Sequence, residues 1–336
     1  MASPPPPSAS KPGQPLRIVF MGTPQLAAHI LERLLEAPPA EFKVVGVVTR
    51  PDSPQRRGLK LEPSEVGIVA EWQGLPTLKP VKIRSEEFRE ALRALQPDVL
   101  VIAAYGRILP REVLETPRIM PINVHASLLP RFRGAAPVEG AILAGEHETG
   151  VTIMRVIERM DAGPILLQRK IPISLDETQG SLKQKIAEIG TNALLEALEM
   201  LSRGKLAEAP QDDNLATYTS PIAKEHAVID WQADAVQIER MTRAYDPWPV
   251  ARTRLNGEDL LIWRAGLSPL AVGNEAAAQS GSAIPGTIVS LKPHPVVQCG
   301  VGMLALLEVQ SPGRRRMPAN DFIRGRRIAI GARLGI

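Results

Sequence analysis

The sequence predicts an α/β fold, in which a doubly wound, mostly parallel sheet is followed by a small C-terminal β-barrel. Strand-like apolar runs alternate with helical patterns through the first two hundred residues, which is the order of βαβ units. The longest strand-like runs are apolar without interruption, as in strands that are buried on both faces. Beyond residue 204, short strand-like runs are separated by Gly, Pro and Asn, which is typical of a small OB-like antiparallel barrel.

The elements of the first part follow in chain order. The first is a short apolar strand at residues 16–20. Gly22-Thr-Pro24 ends it and begins a helix, because proline is favoured in the first turn. Apolar residues between Leu26 and Leu35 then recur at helical spacing. The same patterns predict a strand at 42–49, helices near 64–73 and 86–95, strands at 98–104 and ending at Asn123, a helix near 137–144, a hairpin of 150–156 with 164–173, and a long helix at 178–202.

The second part begins after a polar, Pro-containing stretch that starts at Arg203. Five strand-like runs follow it, at residues 252–255, 260–263, 286–290, 296–298 and 303–309. The predicted organisation is a disordered Pro-rich tail at 1–15, a first domain at 16–203, a linker at 204–218 and a barrel domain at 219–336.

Composition excludes several kinds of site. Cys299 is the single cysteine, so we expect no intrachain disulfide and no cysteine-based metal cluster. The five histidines lack HxxxH or HxxEH spacing, so no metal is expected. Gly22 is not followed by the other glycines of G-x-G-x-x-G, and no P-loop occurs, so no nucleotide cofactor is expected.

The sequence also predicts where in the cell the protein is located. No apolar run approaches the roughly 20 residues that span a bilayer. The tail lacks the apolar centre of a secretory signal and the repeated arginines of a transit peptide. We therefore expect a cytoplasmic protein with no membrane partner. We also expect a monomer.

The most informative stretch begins with Asn123, His125 and Ser127 and runs through turn formers to Pro137. Residues two apart on a strand face the same side, so Asn123 and His125 are predicted to project together from a strand end. An amide donor beside a group that titrates near neutrality suits an acyl-type transfer, in which an amine attacks a carbonyl and an oxyanion develops.

Two further features are predicted near this pair. Tyr105-Gly106 follows the strand of residues 98–104, so it lies at a carboxyl end, where ligands bind in such sheets. Asp161 lies in a Gly-containing turn between the strands of the predicted hairpin. An Asp in a turn is usually only a turn former. We nevertheless consider Asp161 a candidate site residue, because acyl-type transfer is expected to need a carboxylate that orients the histidine or binds an ordered water.

Basic residues are concentrated in two places. Residues 219–336 carry 14 Lys/Arg against 10 Asp/Glu and thus the whole net charge of +4. Six arginines fall within residues 314–327, opposed only by Asp321. A second basic segment, rich in Pro and Gly, is the loop at 50–60. Both suit a polyanionic partner, the alternatives being a solubilising surface and a solvated loop.

With these residues identified, the chain resembles the methionyl-tRNA formyltransferase family along nearly all its length after the tail. The motifs that carry the resemblance are IVFMGTP at 18–24, TRPD at 49–52, AYG at 104–106 with ILP at 108–110, INVH at 122–125, SLLP at 127–130, RGAAP at 133–137, ETGVTIM at 148–154, MDAG at 160–163, IDW at 229–231 and DPWP at 246–249.

The resemblance implies transfer of a formyl group from 10-formyltetrahydrofolate to the α-amine of methionyl initiator tRNA, for translation initiation. The family's Asn-x-His pair falls on Asn123 and His125, and its aspartate falls on Asp161. Direct transfer is expected, with Asn123 stabilising the oxyanion and His125 and Asp161 handling the proton.

The resemblance also implies two binding regions. The residues expected to contact the folate are Tyr105, Gly106, Ser127, Leu128, Leu129 and Pro130. The residues expected to contact tRNA are Arg56, Arg57 (at the family's key arginine position) and Lys60 of the loop, with Arg314, Arg315 and Arg316 of the barrel domain.

The chain departs from the family pattern at Ala126, where most relatives have Gly, at Phe132, where most have Trp, and at Gln55-Arg56, which replaces a small Ala-Gly pair. Other formyl-folate enzymes remain alternatives, since nucleotide-sugar and glycinamide-ribonucleotide formyltransferases and 10-formyltetrahydrofolate hydrolases share the Asn, His and Asp. A non-catalytic tRNA-binding protein is a rival of a different class, against which the complete triad argues.

Overall fold

The computed structural model describes residues 14–38, 41–54, 61–268 and 283–335. The chain divides into two compact units. The first contains residues up to Pro137, Glu148–Pro172 and Lys183–Ser220. The second contains Val138–His147, Ile173–Leu182 and the chain from Pro221 onward.

The strands of the described residues are β1 (Leu16–Gly22), β2 (Phe42–Val48), β3 (Ser53–Pro54), β4 (Leu61–Glu62), β5 (Thr77–Leu78), β6 (Val99–Ala103), β7 (Met120–His125), β8 (Arg133–Gly134), β9 (Glu148–Arg155), β10 (Ile165–Pro172), β11 (Tyr218–Thr219), β12 (Ala251–Leu255), β13 (Glu258–Leu267), β14 (Ile288–Ser290), β15 (Val296–Gln298), β16 (Met303–Gln310) and β17 (Met317–Pro318). The α-helices are α1 (Gln25–Leu35), α2 (Glu65–Trp72), α3 (Glu86–Ala94), α4 (Arg111–Leu114), α5 (Pro137–Ala144), α6 (Gln179–Ser202), α7 (Ala235–Ala244) and α8 (Ala319–Arg326).

Seven strands of the first unit form one sheet in the order β10-β9-β7-β6-β1-β2-β5. The strands β7, β6, β1, β2 and β5 are parallel to one another. β9 runs in the opposite direction, antiparallel to both β7 and β10. The predicted mostly parallel sheet is confirmed. The strand order reverses direction at β1, so the carboxyl ends of β1 and β6 border the switch point, where ligands bind in doubly wound sheets.

The central strands β1 and β6 are buried on both faces, as their unbroken apolar character predicts. Every residue of β6 is buried, and in β1 only Arg17 is partly exposed. α1 packs against β1 and β2, and its buried residues recur at helical spacing. Pro24 is the residue before α1 rather than part of its first turn. β7 continues to His125, two residues beyond the predicted end.

The end of the first unit lies in the stretch predicted as a linker, and it is bonded to this unit. Ile165 and Ala209 exchange backbone hydrogen bonds of 2.8 and 2.9 Å. β11 pairs in parallel with β8. Gly134 has a φ of +108°, and a Cβ there would collide with the carbonyl oxygen of Thr219. The glycine therefore allows the 217–219 backbone to approach β8 closely.

The second unit contains an antiparallel sheet in the order β12-β13-β16-β15-β14, with β17 on β16. Arg333 and Leu334 bridge its two ends, since Leu334 pairs with Leu255 of β12 and Arg333 pairs with Thr287 beside β14. These bridges close the sheet into the small barrel that the sequence predicts. Its core includes Trp231, Ile262, Leu304 and Val309.

Candidate active site

Asn123 and His125 lie at the carboxyl end of β7, two residues apart on one face of the strand. Asn123 pairs with Ile102 of β6 on one side and Met154 of β9 on the other. Val124 points the other way and is buried. His125 is only 5% exposed, whereas Asn123 is partly exposed. The amide of Asn123 is therefore open to a ligand beside an enclosed imidazole.

The His125 ring is held in one orientation. Its Nε2 lies 3.0 Å from the carbonyl oxygen of Phe132. A carbonyl only accepts, so Nε2 donates this hydrogen bond and carries a proton. The other ring nitrogen, Nδ1, lies 3.8 Å from Oδ2 of Asp161. The ring nitrogen that is not bonded to the backbone is therefore Nδ1, on the side of the carboxylate.

Asp161 lies in the turn between β9 and β10, with a left-handed backbone conformation at a φ of +48°. Its Oδ2 accepts a 2.8 Å hydrogen bond from the backbone nitrogen of Gly134. A Cβ at Gly163 would collide with the carbonyl oxygen of Arg155, so this turn also requires its glycine. The turn thus brings the carboxylate to His125 from a separate part of the sheet.

Residues 127–130 form a loop that makes hydrogen bonds with Arg131 and with side chains of β9 and β10. Ser127 is fully buried, and its hydroxyl donates a 2.7 Å hydrogen bond to the carbonyl oxygen of Arg131. Thr152 accepts from the backbone nitrogen of Leu129 at 3.0 Å and donates to the carbonyl oxygen of Ser127 at 2.7 Å. Gln168 donates to the Leu129 carbonyl oxygen at 2.9 Å. The Ser127 side chain is thus used within the loop, whereas Leu128 and Pro130 are partly exposed.

Tyr105 and Gly106 differ in what they can offer a ligand. The Tyr105 side chain is 1% exposed and packs in the core with Phe88 and Leu109. Burial raises the pKa of Tyr105, against the opposing charges of Arg107 and Arg50. Gly106 is exposed, and its carbonyl oxygen accepts a hydrogen bond from the Arg50 guanidinium. Within this pair, only Gly106 is therefore accessible to a ligand.

The residues predicted to contact tRNA have different surroundings. Arg56, Arg57 and Lys60 lie outside the described residues. Arg314, Arg315 and Arg316 are all exposed, in the second unit.

Arg316 differs from its two neighbours in having partners. Its guanidinium lies 3.1 Å from the centre of the Trp263 ring and 3.8 Å from Oδ1 of Asp246. Burial raises the pKa of Asp246, whereas Arg316 opposes that shift. Within the described ranges, neither Arg314 nor Arg315 makes an ion pair.

Several contributors to the site were missed by sequence reasoning. The backbone atoms of Phe132 and Gly134 bond to His125 and Asp161, and no side-chain pattern could indicate that. Thr152 lies within the ETGVTIM run, but its role in holding the 127–130 loop was not predicted. Gln211, in the predicted linker, bonds to the Asp161 turn and had no local signal.

The departures at Ala126 and Phe132 have different structural settings. Ala126 is not among the residues with positive φ, so the alanine introduces no left-handed strain. Phe132 has a φ of +57°, and the Arg131 guanidinium lies 5.0 Å from the centre of its ring.

The described residues contain neither a metal-binding cluster nor a membrane-spanning helix. No group of three or more His, Cys, Asp or Glu side chains in the described ranges is arranged to hold a metal ion. None of the described helices is both long and apolar enough to cross a membrane.

Comparison with known proteins places this architecture in a family. Residues 16–198 match the formyl transferase family model, and residues 221–327 match the model of the formyl transferase C-terminal domain. The chain is 45% identical over 322 residues to a methionyl-tRNA formyltransferase of Methylococcus capsulatus, covering 95% of this chain and 100% of that protein. It is 44% identical to the methionyl-tRNA formyltransferase of Pseudomonas fluorescens, covering 96% of this chain and 98% of that protein.

Solved structures share the fold at low sequence identity. An N-formyltransferase from Helicobacter canadensis, in complex with folinic acid and dTDP-3-aminofucose, aligns with a TM-score of 0.62 at 17% identity, covering 87% of this chain and 99% of that one. HypX from Aquifex aeolicus, in complex with tetrahydrofolic acid, aligns with a TM-score of 0.60 at 19% identity. That alignment covers 94% of this chain and 48% of HypX, so this chain spans about half of HypX.

Proposed function

Because this chain belongs to the formyl transferase family, among the methionyl-tRNA formyltransferases, we propose that it transfers a formyl group from 10-formyltetrahydrofolate to the α-amine of methionyl initiator tRNA. The observation that carries the assignment to residues is the pairing of His125 with Asp161, at a strand end that also bears Asn123. The N-formylmethionyl-tRNA so formed serves translation initiation.

Asn123 stabilises the charge that develops during transfer. The neutral α-amine attacks the formyl carbon, and the carbonyl oxygen becomes an oxyanion. The Asn123 amide is partly exposed, and within the described residues no hydrogen bond of its side chain competes for it. It donates to the oxyanion, a role in which one donor contributes about 3–4 kcal/mol in other enzymes.

His125 and Asp161 handle the proton that the amine loses. Since Nε2 donates to the Phe132 carbonyl, the proton is held or released at Nδ1. The Asp161 carboxylate lies 3.8 Å from Nδ1, on the side where the ring takes up the proton as the amine becomes an amide. As the bond between the formyl carbon and the folate nitrogen breaks, the proton passes to that nitrogen. No covalent enzyme intermediate is formed.

The folate is bound by the loop at 127–130 and by Tyr105 and Gly106. The exposed Gly106 and the partly exposed Leu128 and Pro130 support direct contacts with the folate, whereas Ser127 and Tyr105 are buried and support these residues from within. The hydrogen bonds from Thr152 and Gln168 hold the loop in place before the folate arrives. Leu129 is buried and anchors the loop.

The tRNA is bound by Arg56, Arg57 and Lys60 of the 50–60 loop and by the exposed arginines at 314–316. Positive charge on these segments supports contacts with phosphates, which position the tRNA without reading its sequence. The enzyme acts as a monomer in the cytoplasm under this proposal. Size-exclusion chromatography with light scattering checks the monomer.

One assay tests the proposed function directly. Wild-type protein is given 10-formyltetrahydrofolate and charged initiator tRNA, with free methionine, an amino sugar nucleotide and glycinamide ribonucleotide as competing acceptors. We expect formylation of the charged tRNA alone. Formylation of a small amine with untouched tRNA contradicts the proposal, and so does hydrolysis of the folate without an acceptor.

A further inference from the structure

Gln211 holds the backbone of the turn that carries Asp161. Its side-chain Nε2 donates to the carbonyl oxygen of Asp161 at 2.9 Å and to that of Gly163 at 2.7 Å. Its Oε1 accepts from Nε and a terminal nitrogen of the Arg133 guanidinium at 3.1 and 2.8 Å. Carbonyls only accept and guanidinium only donates, so the amide has one possible orientation.

Arg133 is held as firmly as the amide that it binds. It is fully buried, and its guanidinium also donates to Asp213 at 2.8 Å and to the Tyr218 hydroxyl at 3.2 Å. Its backbone nitrogen donates to the carbonyl oxygen of Thr217 at 2.8 Å. A buried guanidinium that is bonded at each side leaves the Gln211 amide little freedom to rotate.

The turn needs such support because its conformation is unfavourable by itself. Asp161 is a non-glycine residue in the left-handed region, and such residues cost energy unless their surroundings hold them there. Two carbonyl oxygens of the turn point to one donor group, the Gln211 amide. Loss of that donor frees the turn to move Asp161 away from Nδ1 of His125.

We propose that Gln211, oriented by Arg133, is a positioning residue that sets the place of Asp161 for proton handling. This inference rests on the proposed function, because it assigns a catalytic effect to the position of Asp161. Gln211 lies in the stretch predicted as a linker, so that stretch supports the active site as well as connecting the chain.

The test compares two near-isosteric substitutions in one network. Gln211→Glu keeps acceptors for Arg133 but, when ionised, has no hydrogen to donate to the two turn carbonyls. Tyr218→Phe is the matched control, because the hydrogen bond that it removes goes to Arg133 and not to the turn. Both variants are assayed for kcat and for the KM of each substrate, with thermal unfolding as the check on folding.

We expect kcat to fall by about 10- to 100-fold in Gln211→Glu, as for a displacement of about 1 Å in a catalytic group, with both KM values within about two-fold of wild type. In Tyr218→Phe we expect kcat within about three-fold of wild type. Equal loss of kcat in the two variants, or a wild-type kcat in Gln211→Glu, overturns the inference.

Gln211→Ala separates loss of the donor from the effect of an added carboxylate. Its side chain neither donates to the turn nor accepts from Arg133, so kcat should fall at least as far as in Gln211→Glu, with both KM values again within about two-fold of wild type. A wild-type kcat in Gln211→Ala counts against the inference.

Hydrogen exchange gives a readout that does not depend on activity. The Gly134 amide donates to Asp161 Oδ2, so it exchanges faster when the turn moves. We expect faster exchange of this amide in both Gln211 variants and wild-type exchange in Tyr218→Phe. Unchanged exchange in the Gln211 variants refutes the inference even if the protein proves not to formylate tRNA. An inactive wild-type protein refutes the proposed function instead.

Discussion

The Asp161 carboxylate faces the one His125 nitrogen that is not bonded to the backbone. Oδ2 of Asp161 lies 3.8 Å from Nδ1, while Nε2 donates to the carbonyl oxygen of Phe132. The same oxygen of Asp161 accepts from the backbone nitrogen of Gly134. Neighbouring backbone groups of one segment therefore hold both partners of the pair, which ties the geometry of the proposed acid–base site to residues 132–134.

Substitution of Asp161 by Asn should separate charge from geometry. Asn keeps an oxygen acceptor for Gly134 and tolerates positive φ, so the turn should persist. Without the negative charge, kcat should fall by about 10²-fold or more, as for other acid–base groups. Steady-state kinetics and thermal unfolding are the measurements.

The control for this change is Asp161→Ala, which loses the hydrogen bond as well as the charge and should unfold at a lower temperature. A wild-type kcat in Asp161→Asn would show that the carboxylate has no part in proton handling.

Substitution of Asn123 by Ala should slow the chemical step itself. Removal of one oxyanion donor typically lowers the rate about 10²- to 10³-fold. The rate of formyl transfer in a single turnover, with enzyme in excess over charged tRNA, measures that step free of product release. Asn320→Ala, in the second unit, serves as the matched control and should keep the wild-type rate. Near wild-type chemistry in Asn123→Ala would remove the oxyanion role.

The arginines at 314–316 should contribute unequally to tRNA binding. Arg314 and Arg315 make no ion pair in the part of the chain described, whereas Arg316 stacks on Trp263 near Asp246. Each phosphate contact contributes roughly one unit to the slope of log K against log salt. The double substitution of Arg314 and Arg315 by Ala should therefore flatten the slope more than Arg316→Ala does. Equal slopes in all variants would contradict a tRNA-binding role.

Substitution of Arg57 by Ala should lower formyl transfer more than tRNA binding, if the 50–60 loop acts at the acceptor end. Binding by filter retention and transfer by a single-turnover assay give the two values at one salt concentration. Lys205→Ala removes the same charge from an exposed position outside the proposed contacts. An unchanged transfer rate in Arg57→Ala, or an equal loss in the two variants, contradicts the assignment.

The Cys299 thiol should be unreactive in the folded protein. Its ionisation in the unfolded protein should lower the free energy of unfolding at alkaline pH. Burial raises the pKa of its thiol to about 12, from an ordinary value of 9.0. A thiol reagent at neutral pH should leave the folded protein unmodified and react after denaturation.

The sign of the pH effect follows from the raised pKa. Below about pH 9 the thiol is protonated in both states, so this stabilising contribution is fully present. As pH rises from about 9 towards 12, the unfolded thiol ionises first and the contribution is lost, by up to about 1.4 kcal/mol per pH unit. The difference between the free energies of unfolding of wild type and Cys299→Ala, measured at several pH values, isolates the contribution of the thiol, because all other groups titrate in both proteins. Parallel curves would contradict the expectation.

The sequence by itself determined most strands of the sheet and of the barrel, and the position of Asn123 and His125 on one strand face. These features follow from apolar periodicity and from spacing over a few residues, which depend on local backbone geometry. The same local reasoning placed Asp161 in a turn but could not determine which group the turn faces.

Only the tertiary structure decided the contacts that complete the site. The Phe132 carbonyl, the Gly134 amide and the Gln211 side chain come to His125 and Asp161 from elsewhere in the chain. In the second unit, Arg333 and Leu334 likewise close the barrel across its two ends. Such bonds join segments far apart in sequence, and several use backbone atoms that every residue carries. Residue type and spacing therefore do not indicate these hydrogen bonds, which form only once the chain has folded.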